Sequence, residues 1–395
     1  MSDSTLPFPT PERPAGSTTI SAGQTTMLQA ETSAPPMDRA LVNLIENYHS
    51  VSREQAIYYP VCYRFDRLLG EGHQGKVYVG LRQGARGCTT RHAIKIFNPA
   101  VYHSTQQYWT DMGRIASQLS TLQTLRSPNL VSMDTYDEVN GIGYVQMEVI
   151  NGADVREIIA GSYYHEVSNL FEPEAWREVS RAIFHEEPGR PRSIQPGIAV
   201  YIMRMLLKGL ENLHEAGFLH SDIKPSNIMV DRFGHVKIID YGRAVKPREK
   251  VNLLLGSPLY MAPEIHLREP GVEQSDLYSV GLVGLEMMRG EPLINAAGLS
   301  ESDLLAGKLS LPGRLESLLP AHVRDNRDLV RVLQRFIHPD PRERFPDARS
   351  AETEDEGLRR VHQQLVQIGQ DADYARLMGD FLSRLTLARE AARCS

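Results

Sequence analysis

Two carboxylates, an amide and a lysine fall close together in His220-Ser221-Asp222-Ile223-Lys224-Pro225-Ser226-Asn227 and in Asp240-Tyr241-Gly242. A carboxylate at Asp222 can accept a proton from an incoming hydroxyl, and Lys224 can face a transferring phosphate. The amide of Asn227 and the carboxylate of Asp240 are oxygen ligands of the kind a hard cation such as Mg2+ (or Mn2+) prefers. These are the parts that phosphoryl transfer from ATP requires. Its loose transition state asks the protein mainly to position reactants and neutralise charge.

Such residues need elements that bring a nucleotide to them. Leu69-Gly70-Glu71-Gly72-His73-Gln74-Gly75-Lys76-Val77 carries a Gly-x-Gly-x-x-Gly-x-Val pattern, in which glycines let a backbone turn approach phosphates. The triplet alone is a weak signal, because dinucleotide-binding folds use one followed by a helix. Here Lys76-Val77-Tyr78-Val79-Gly80 alternates and is β-branched, which predicts a strand and therefore a hairpin turn lying over a nucleotide. Next, His92-Ala93-Ile94-Lys95-Ile96-Phe97 sets a lysine inside a short apolar strand. By itself that is an edge-strand charge; after a phosphate loop it becomes a phosphate ligand.

In this order the segments resemble the eukaryotic-type (Hanks-type) serine/threonine protein kinase family. The resemblance implies an α+β, two-lobed fold with a small β-rich lobe, a larger helical lobe and, in this chain, a helical C-terminal extension. It implies that Leu69, Gly70, Gly72, Gly75, Val77 and Ala93 enclose ATP, that Lys95 pairs its phosphates, and that Met147, Glu148 and Val149 form an adenine-binding hinge. Asp222 is then the base, with His220, Tyr241 and Gly242 framing the loops that carry it. Gly256-Ser257-Pro258-Leu259-Tyr260-Met261-Ala262-Pro263-Glu264 resembles the end of an activation segment and its peptide-docking loop, where Ser257 bridges Asp222 and Lys224. Asp276 matches the aspartate that anchors the catalytic loop, and Arg344 the arginine that pairs with Glu264. The motifs run in family order over roughly residues 64–349.

The chain divides accordingly. Residues 1–37, rich in Pro, Ser, Thr and Gly, predict a disordered tail. A short helical lead-in over 38–62 has Leu41, Leu44 and Ile45 on one face. The kinase domain is expected over 63–349, with lobes of about 63–149 and 150–349, and residues 350–395 form the extension. Its stripes, Leu358, Val361, Leu365 and Ile368, then Tyr374, Leu377, Met378, Phe381 and Leu385, must be covered by something. Either they pack on the large lobe, or they bind a partner protein or a second copy in a homodimer.

Three departures from the family pattern stand out. An insertion of about 157–195 includes a helical stretch around Glu172–His185 and the loop Glu187-Pro188-Gly189-Arg190-Pro191-Arg192; it reads equally as padding or as a docking surface. Ser221 occupies the place of an arginine that in many members grips an activation-loop phosphate, and residues 243–256 contain no Ser, Thr or Tyr. Both halves of a phosphate switch are missing, so activity is expected not to depend on activation-loop phosphorylation. Finally, Gln118 stands where a glutamate should pair with Lys95. Its carbonyl can accept one hydrogen bond but brings no counter-charge; Asp111, two turns earlier, is the other candidate.

Composition narrows the remaining classes. Net charge is −6, which gives no sign of a nucleic-acid partner. Three scattered cysteines, Cys62, Cys88 and Cys394, fit a reducing compartment and no disulfide framework. No apolar run is long enough to span a bilayer and no signal peptide is evident, so a cytoplasmic location is expected. The functional reading is an ATP-dependent kinase acting on serine or threonine of a protein substrate. The alternative is a nucleotide-binding pseudokinase scaffold, for which Gln118 is the support. A small-molecule phosphotransferase is disfavoured by Ala262-Pro263-Glu264 and its Arg344 partner.

Overall fold

The computed structural model describes residues 39–58, 61–162, 164–241, 244–248, 257–294, 298–365 and 373–394, with side chains to 391. The tail read over 1–37, Gly242, Ile368, the side chain of Cys394 and most of 243–256 lie outside the described residues.

Alternating apolar residues build the small lobe. Strands β1 (Ala56–Ile57), β2 (Tyr63–Gly72), β3 (Gly75–Gln83), β4 (Thr89–Phe97), β5 (Met133–Val139) and β6 (Ile142–Met147) form one sheet in the order β1-β2-β3-β4-β6-β5. All its neighbours pair antiparallel. The glycine-rich segment is a hairpin, with Gly72 paired to Gly75 across the β2–β3 turn, as the strand-forming residues after it predicted.

The lead-in read over 38–62 is a helix followed by a short strand. Helix α1 (Arg39–Glu54) buries Leu41, Leu44, Tyr48 and Val51, a three-to-four-residue spacing that carries the helix past Tyr48. Ile45 is only half-buried. Strand β1 then joins the sheet edge against β2, so residues 39–57 belong to the small lobe rather than precede it. Helix α2 (Thr105–Leu122) starts at Ser104, whose side chain accepts from the Gln107 amide, and buries Tyr108, Met112, Ile115, Gln118, Leu119 and Leu122. The Tyr108 hydroxyl accepts from the Gly143 amide at 2.8 Å, fastening α2 to the turn side of β6.

The large lobe is organised around two helices that are apolar on nearly all sides, as burial demands. It comprises β7 (Gly152–Asp154), α3 (Val155–Ala160), α4 (Tyr164–Ser168), α5 (Pro173–Ile183), β8 (Phe184–His185), β9 (Ser193–Ile194), α6 (Pro196–Glu215), β10 (Ile228–Asp231), β11 (Val236–Ile238), α7 (Pro263–His266) and α8 (Glu273–Arg289). After these come α9 (Glu301–Leu318), α10 (Ala321–Arg324), α11 (Arg327–Phe336), α12 (Ala348–Thr353), α13 (Leu358–Leu365) and α14 (Tyr374–Cys394). Helices α6 and α8 form the core of this lobe. They approach so closely at Gly284 that a Cβ there would lie 2.4 Å from the Met203 sulfur.

The insertion and the C-terminal extension account for one another. The stretch read around Glu172–His185 is α5, and the loop beyond it is the tip of the β8–β9 hairpin. Along α14, Tyr374, Leu377, Met378, Phe381 and Leu385 are all buried within the chain. The Phe381 ring meets Phe184 edge-on at 5.4 Å, and the Arg384 guanidinium lies 4.3 Å over Phe171. Arg389 pairs with Glu157 and donates to the Gly152 carbonyl at 2.8 Å. The inserted segment is thus a cradle, and the stripe on α14 is covered by the large lobe itself.

Candidate active site

The cleft is built from strand ends on one side and the catalytic loop on the other. Lys95 lies on β4, paired to Val77 of β3 and Val145 of β6, so it is interior to the sheet and not an edge charge. It is 7% exposed; its ammonium pairs with Asp240 and donates to the Gln74 Oε1 at 3.1 Å. Gln74, at the tip of the glycine hairpin, had no reading from sequence, and it closes that hairpin down onto the lysine. Gly75 has φ +143°, and a Cβ there would lie 1.9 Å from the Ile96 carbonyl oxygen, so no other residue fits without moving β4. At Gly70 and Gly72 a Cβ would meet only open space, the side from which a ligand can reach bare backbone. Leu69 is exposed, Val77 half-buried, and Ala93 is paired to Met147 at the back of the cleft.

The hinge is tied down by side chains. Glu148 accepts from the Ser132 amide at 2.7 Å and from Lys237 at 2.8 Å, and its own N–H donates to the Ser132 carbonyl at 3.0 Å. That amide is therefore spent on the fold, which narrows the expected role of Glu148 to its carbonyl. Val149, which follows it, is half-buried.

On the opposite wall the catalytic-loop residues converge. Lys224 Nζ reaches Asp222 Oδ2 at 2.9 Å and Ser257 Oγ at 3.1 Å, so the lysine stands between the other two, the place expected of Ser257. Asn227 Nδ2 donates to the Asp222 carbonyl at 2.8 Å and to its Oδ2 at 3.0 Å. Asp240 is brought alongside because Ile239 donates its N–H to the Asn227 carbonyl at 2.9 Å. The Ile239 carbonyl faces His220 Nε2 at 3.1 Å. Tyr241 hydrogen-bonds the Val131 carbonyl and is buried, so it pins this segment to the residues that lead into β5.

Asp276 holds the loop from below. Its Oδ2 accepts from the His220 amide at 2.8 Å and its Oδ1 from the Ser221 amide at 2.9 Å, while His214 Nε2 lies 2.9 Å from Oδ2. Burial alone would raise the Asp276 carboxyl; His214, the charge of His220 and the Ser221 amide more than offset it and hold it below the usual carboxylate value. Ser221 and Asp240 both have φ +64°, a region costly to non-glycine residues, and the hydrogen bonds around them sustain that strain at the site. His214 had no reading from sequence. Its signal was a titratable residue next to Leu210 and Leu213 on the buried face of α6.

Gln118 has a different role from the one expected. Its Oε1 accepts from Arg114 Nη1 at 3.2 Å, and Lys95 is held by Asp240 and Gln74 instead. Asp111 is likewise committed, accepting from Arg114 at 2.8 Å and from the Tyr102 hydroxyl at 2.5 Å. The same Arg114 donates to the Ala244 carbonyl at 3.2 Å, joining α2 to the segment beyond Asp240.

Below the cleft, Glu264 and Arg344 form a buried bidentate pair, both contacts 2.8 Å, with Ser275 donating to Glu264 at 2.7 Å. Lys308, fully buried on α9, donates to the Pro258 and Met261 carbonyls, both at 2.5 Å, and to His266 Nε2 at 2.9 Å. Burial and the Lys308 charge push His266 down to about 3, so its ring is neutral and can accept from the lysine. Lys308 was also missed. It occupies the apolar stripe of Leu304, Leu311 and Leu315, and a lysine at a core position is the signal that could have found it.

A small sheet-bearing lobe, a helical lobe and these side chains between them define a protein kinase domain. Residues 63–353 match the family described as protein kinase domain, and the chain belongs to that family. It is 31% identical over 253 residues to sperm motility kinase 3A of Mus musculus, covering 63% of this chain and 43% of that one. It is 28% identical over 233 residues to the probable serine/threonine-protein kinase pknA2 of Bifidobacterium longum, covering 58% and 26%. The chain thus spans less than half the length of either relative. Among solved structures, the PknI kinase domain of Mycobacterium tuberculosis superposes with a TM-score of 0.50 at 18% identity, covering 76% of this chain and 94% of that one; this likeness is one of fold. Among the described residues no helix is long and apolar enough to cross a membrane.

Proposed function

We propose that the protein transfers the γ-phosphate of ATP to serine or threonine hydroxyls of protein substrates. The observation that carries this reading is the joined set Lys95–Asp240 and Lys224–Asp222–Asn227, held by Asp276 between two lobes. Asp222 accepts the proton of the incoming hydroxyl, and Lys224, bridging to Ser257, faces the transferring group. Lys95 exchanges its contact with Asp240 for the nucleotide phosphates, and the bare backbone at Gly70 and Gly72 lies over them.

The donor set fits Mg2+ (or Mn2+). Asn227 turns its Nδ2 to Asp222, which leaves its amide oxygen for a ligand, and with the Asp240 carboxylate it offers the oxygen donors that such a cation takes. When bound there, the ion supplies neutralisation of phosphate charge.

Catalysis without activation-loop phosphorylation is part of the proposal. Its support is Ser221, whose amide is fixed by Asp276, together with the absence of Ser, Thr and Tyr from 243–256. The buried stripe on α14 supports a scaffolding role for the C-terminal helices over partner or homodimer binding. Cys62 and Cys88 are exposed free thiols, which accords with a reducing, cytoplasmic setting.

Gln118 favours one second reading, a nucleotide-binding scaffold. Purified protein with labelled ATP, Mg2+ and a generic protein acceptor separates the two. Label should enter serine or threonine, and Asp222→Asn should lower the rate by about 10²–10⁴-fold, the range for losing a general base. Asparagine retains an oxygen for Lys224 and Asn227, so the loop keeps its bonds while the base is gone. Equal incorporation by wild type and variant would remove Asp222 from that role.

A further inference from the structure

We infer that His185, Glu187 and His322 form a site for one divalent transition-metal ion of the zinc class, joining the inserted hairpin to the large lobe. His185 closes β8, Glu187 lies in the turn after it, and His322 is on α10. One ligand atom from each lies within 4.8 Å of the other two. The two imidazole rings lie face to face, with centroids 3.6 Å apart and planes 28° from parallel.

Both ring nitrogens of His322 are buried without a hydrogen-bond partner. A neutral imidazole has one donor and one acceptor, and buried polar atoms are nearly always satisfied. Ring stacking leaves both nitrogens of His322 unanswered, whereas an ion at the ring edges takes one of them directly once the two rings turn so that their in-plane lone pairs converge on it.

The donors select the metal. Two imidazole nitrogens and a carboxylate oxygen suit Zn2+, with a fourth position left to water, while Mg2+ and Ca2+ prefer oxygen alone. The site is thereby chemically distinct from Asp240 and Asn227. Bonds of about 2.0–2.1 Å place tetrahedral ligands roughly 3.4 Å apart, closer than the 4.8 Å bound here. His185 and Glu187 are half-buried on a short hairpin, so side-chain rotation can close the gap. Arg190 Nε stands 3.4 Å from Glu187 Oε2 and is the charge an arriving cation must displace or share that carboxylate with.

The test uses full-length protein stripped with chelator and titrated with Zn2+ alone by equilibrium dialysis, then with Co2+ to read coordination from its visible spectrum. One equivalent should bind with a tetrahedral Co2+ spectrum and persist in Asp240→Ala. Affinity should fall by at least about tenfold in His322→Ala and in His185→Gln. Zn2+ should raise the melting temperature of wild type and not of the histidine variants. If His322→Ala fails to fold, the half-buried His185→Gln carries the comparison. Unchanged stoichiometry and affinity in the histidine variants, or an equivalent lost only with Asp240→Ala, would overturn the assignment.

Discussion

Gln118 gives its side-chain carbonyl to Arg114, one turn earlier on α2, at 3.2 Å. The arginine is also bonded to Asp111 and to the Ala244 carbonyl, so α2 is fixed to the segment following Asp240 through a guanidinium. Lys95 meanwhile takes its counter-charge from Asp240. The missing glutamate is thus answered by a different connection between the same two parts of the cleft.

Arg114→Ala should consequently lower phosphoryl transfer by roughly 10–100-fold, the equivalent of a charged hydrogen bond of about 1.5–3 kcal/mol. Gln118→Glu should change the rate less than about threefold, because the new carboxylate meets Arg114 at i−4 first. Steady-state rates on a protein acceptor check both. A tenfold gain from Gln118→Glu would show that counter-charge at Lys95 is limiting after all.

The second prediction concerns Glu264 and Arg344, which are buried, bidentate and further bonded by Ser275. Glu264→Gln leaves the arginine charge uncompensated in a low-dielectric setting, and breaking such a pair costs roughly 3–5 kcal/mol. The exposed pair Arg342–Asp340, 2.7 Å apart, is the control, since surface pairs contribute about 0–1 kcal/mol. Urea unfolding of Glu264→Gln and Arg342→Ala should differ accordingly. Equal midpoints would contradict the role given to the buried pair.

These contrasts mark what could be read in the chain. The catalytic loop was legible because Asp222, Lys224 and Asn227 are close in sequence and held by local bonds. The glycine hairpin was legible because β-branched residues follow it. The contacts of Gln74, Arg114, His214 and Lys308 were not, since each depends on which long-range neighbour the fold brings near. The C-terminal stripe was visible as apolar, yet its partner, the inserted cradle of Phe171 and Phe184, follows only from tertiary packing. Lead-in residues 39–57 were set outside the small lobe because a two-residue strand such as β1 carries no periodicity to detect.

Lys308 supplies the third prediction. Its ammonium holds the Pro258 and Met261 carbonyls on either side of Tyr260, so it shapes the loop that is proposed to receive a peptide. Burial lowers its pKa well below the ordinary lysine value, a cost that the three acceptors offset. Lys308→Met keeps the apolar stem, takes the lysine bond from the Met261 carbonyl and leaves the Pro258 carbonyl to His266 Nε2 at 3.2 Å. KM for a protein acceptor should rise about tenfold, while KM for ATP stays within about twofold, because the lost bonds lie below the substrate side only. Parallel changes in both constants would mean that Lys308 supports the lobe as a whole.

The last prediction is a pH dependence with a defined sign. Glu286 on α8 is 5% exposed and accepts from the Tyr260 hydroxyl at 2.6 Å. Burial raises its carboxyl from 4.5 to about 7, against the opposing pull of Tyr260 and of the Arg156 charge. A folded-state value above the unfolded one means that the folded chain binds the proton more tightly. Its contribution to stability is complete below pH 4.5 and is lost as pH rises to about 7. The loss amounts to roughly 3 kcal/mol. Glu286→Gln is neutral throughout and keeps an oxygen for Tyr260, so it should be free of that loss. Its urea midpoint, compared with wild type, should move in favour of the variant between about pH 5 and about pH 8. A difference that stays constant across the series would show that Glu286 is ionised in the folded protein at every pH tested, and that Tyr260 is held by a carboxylate.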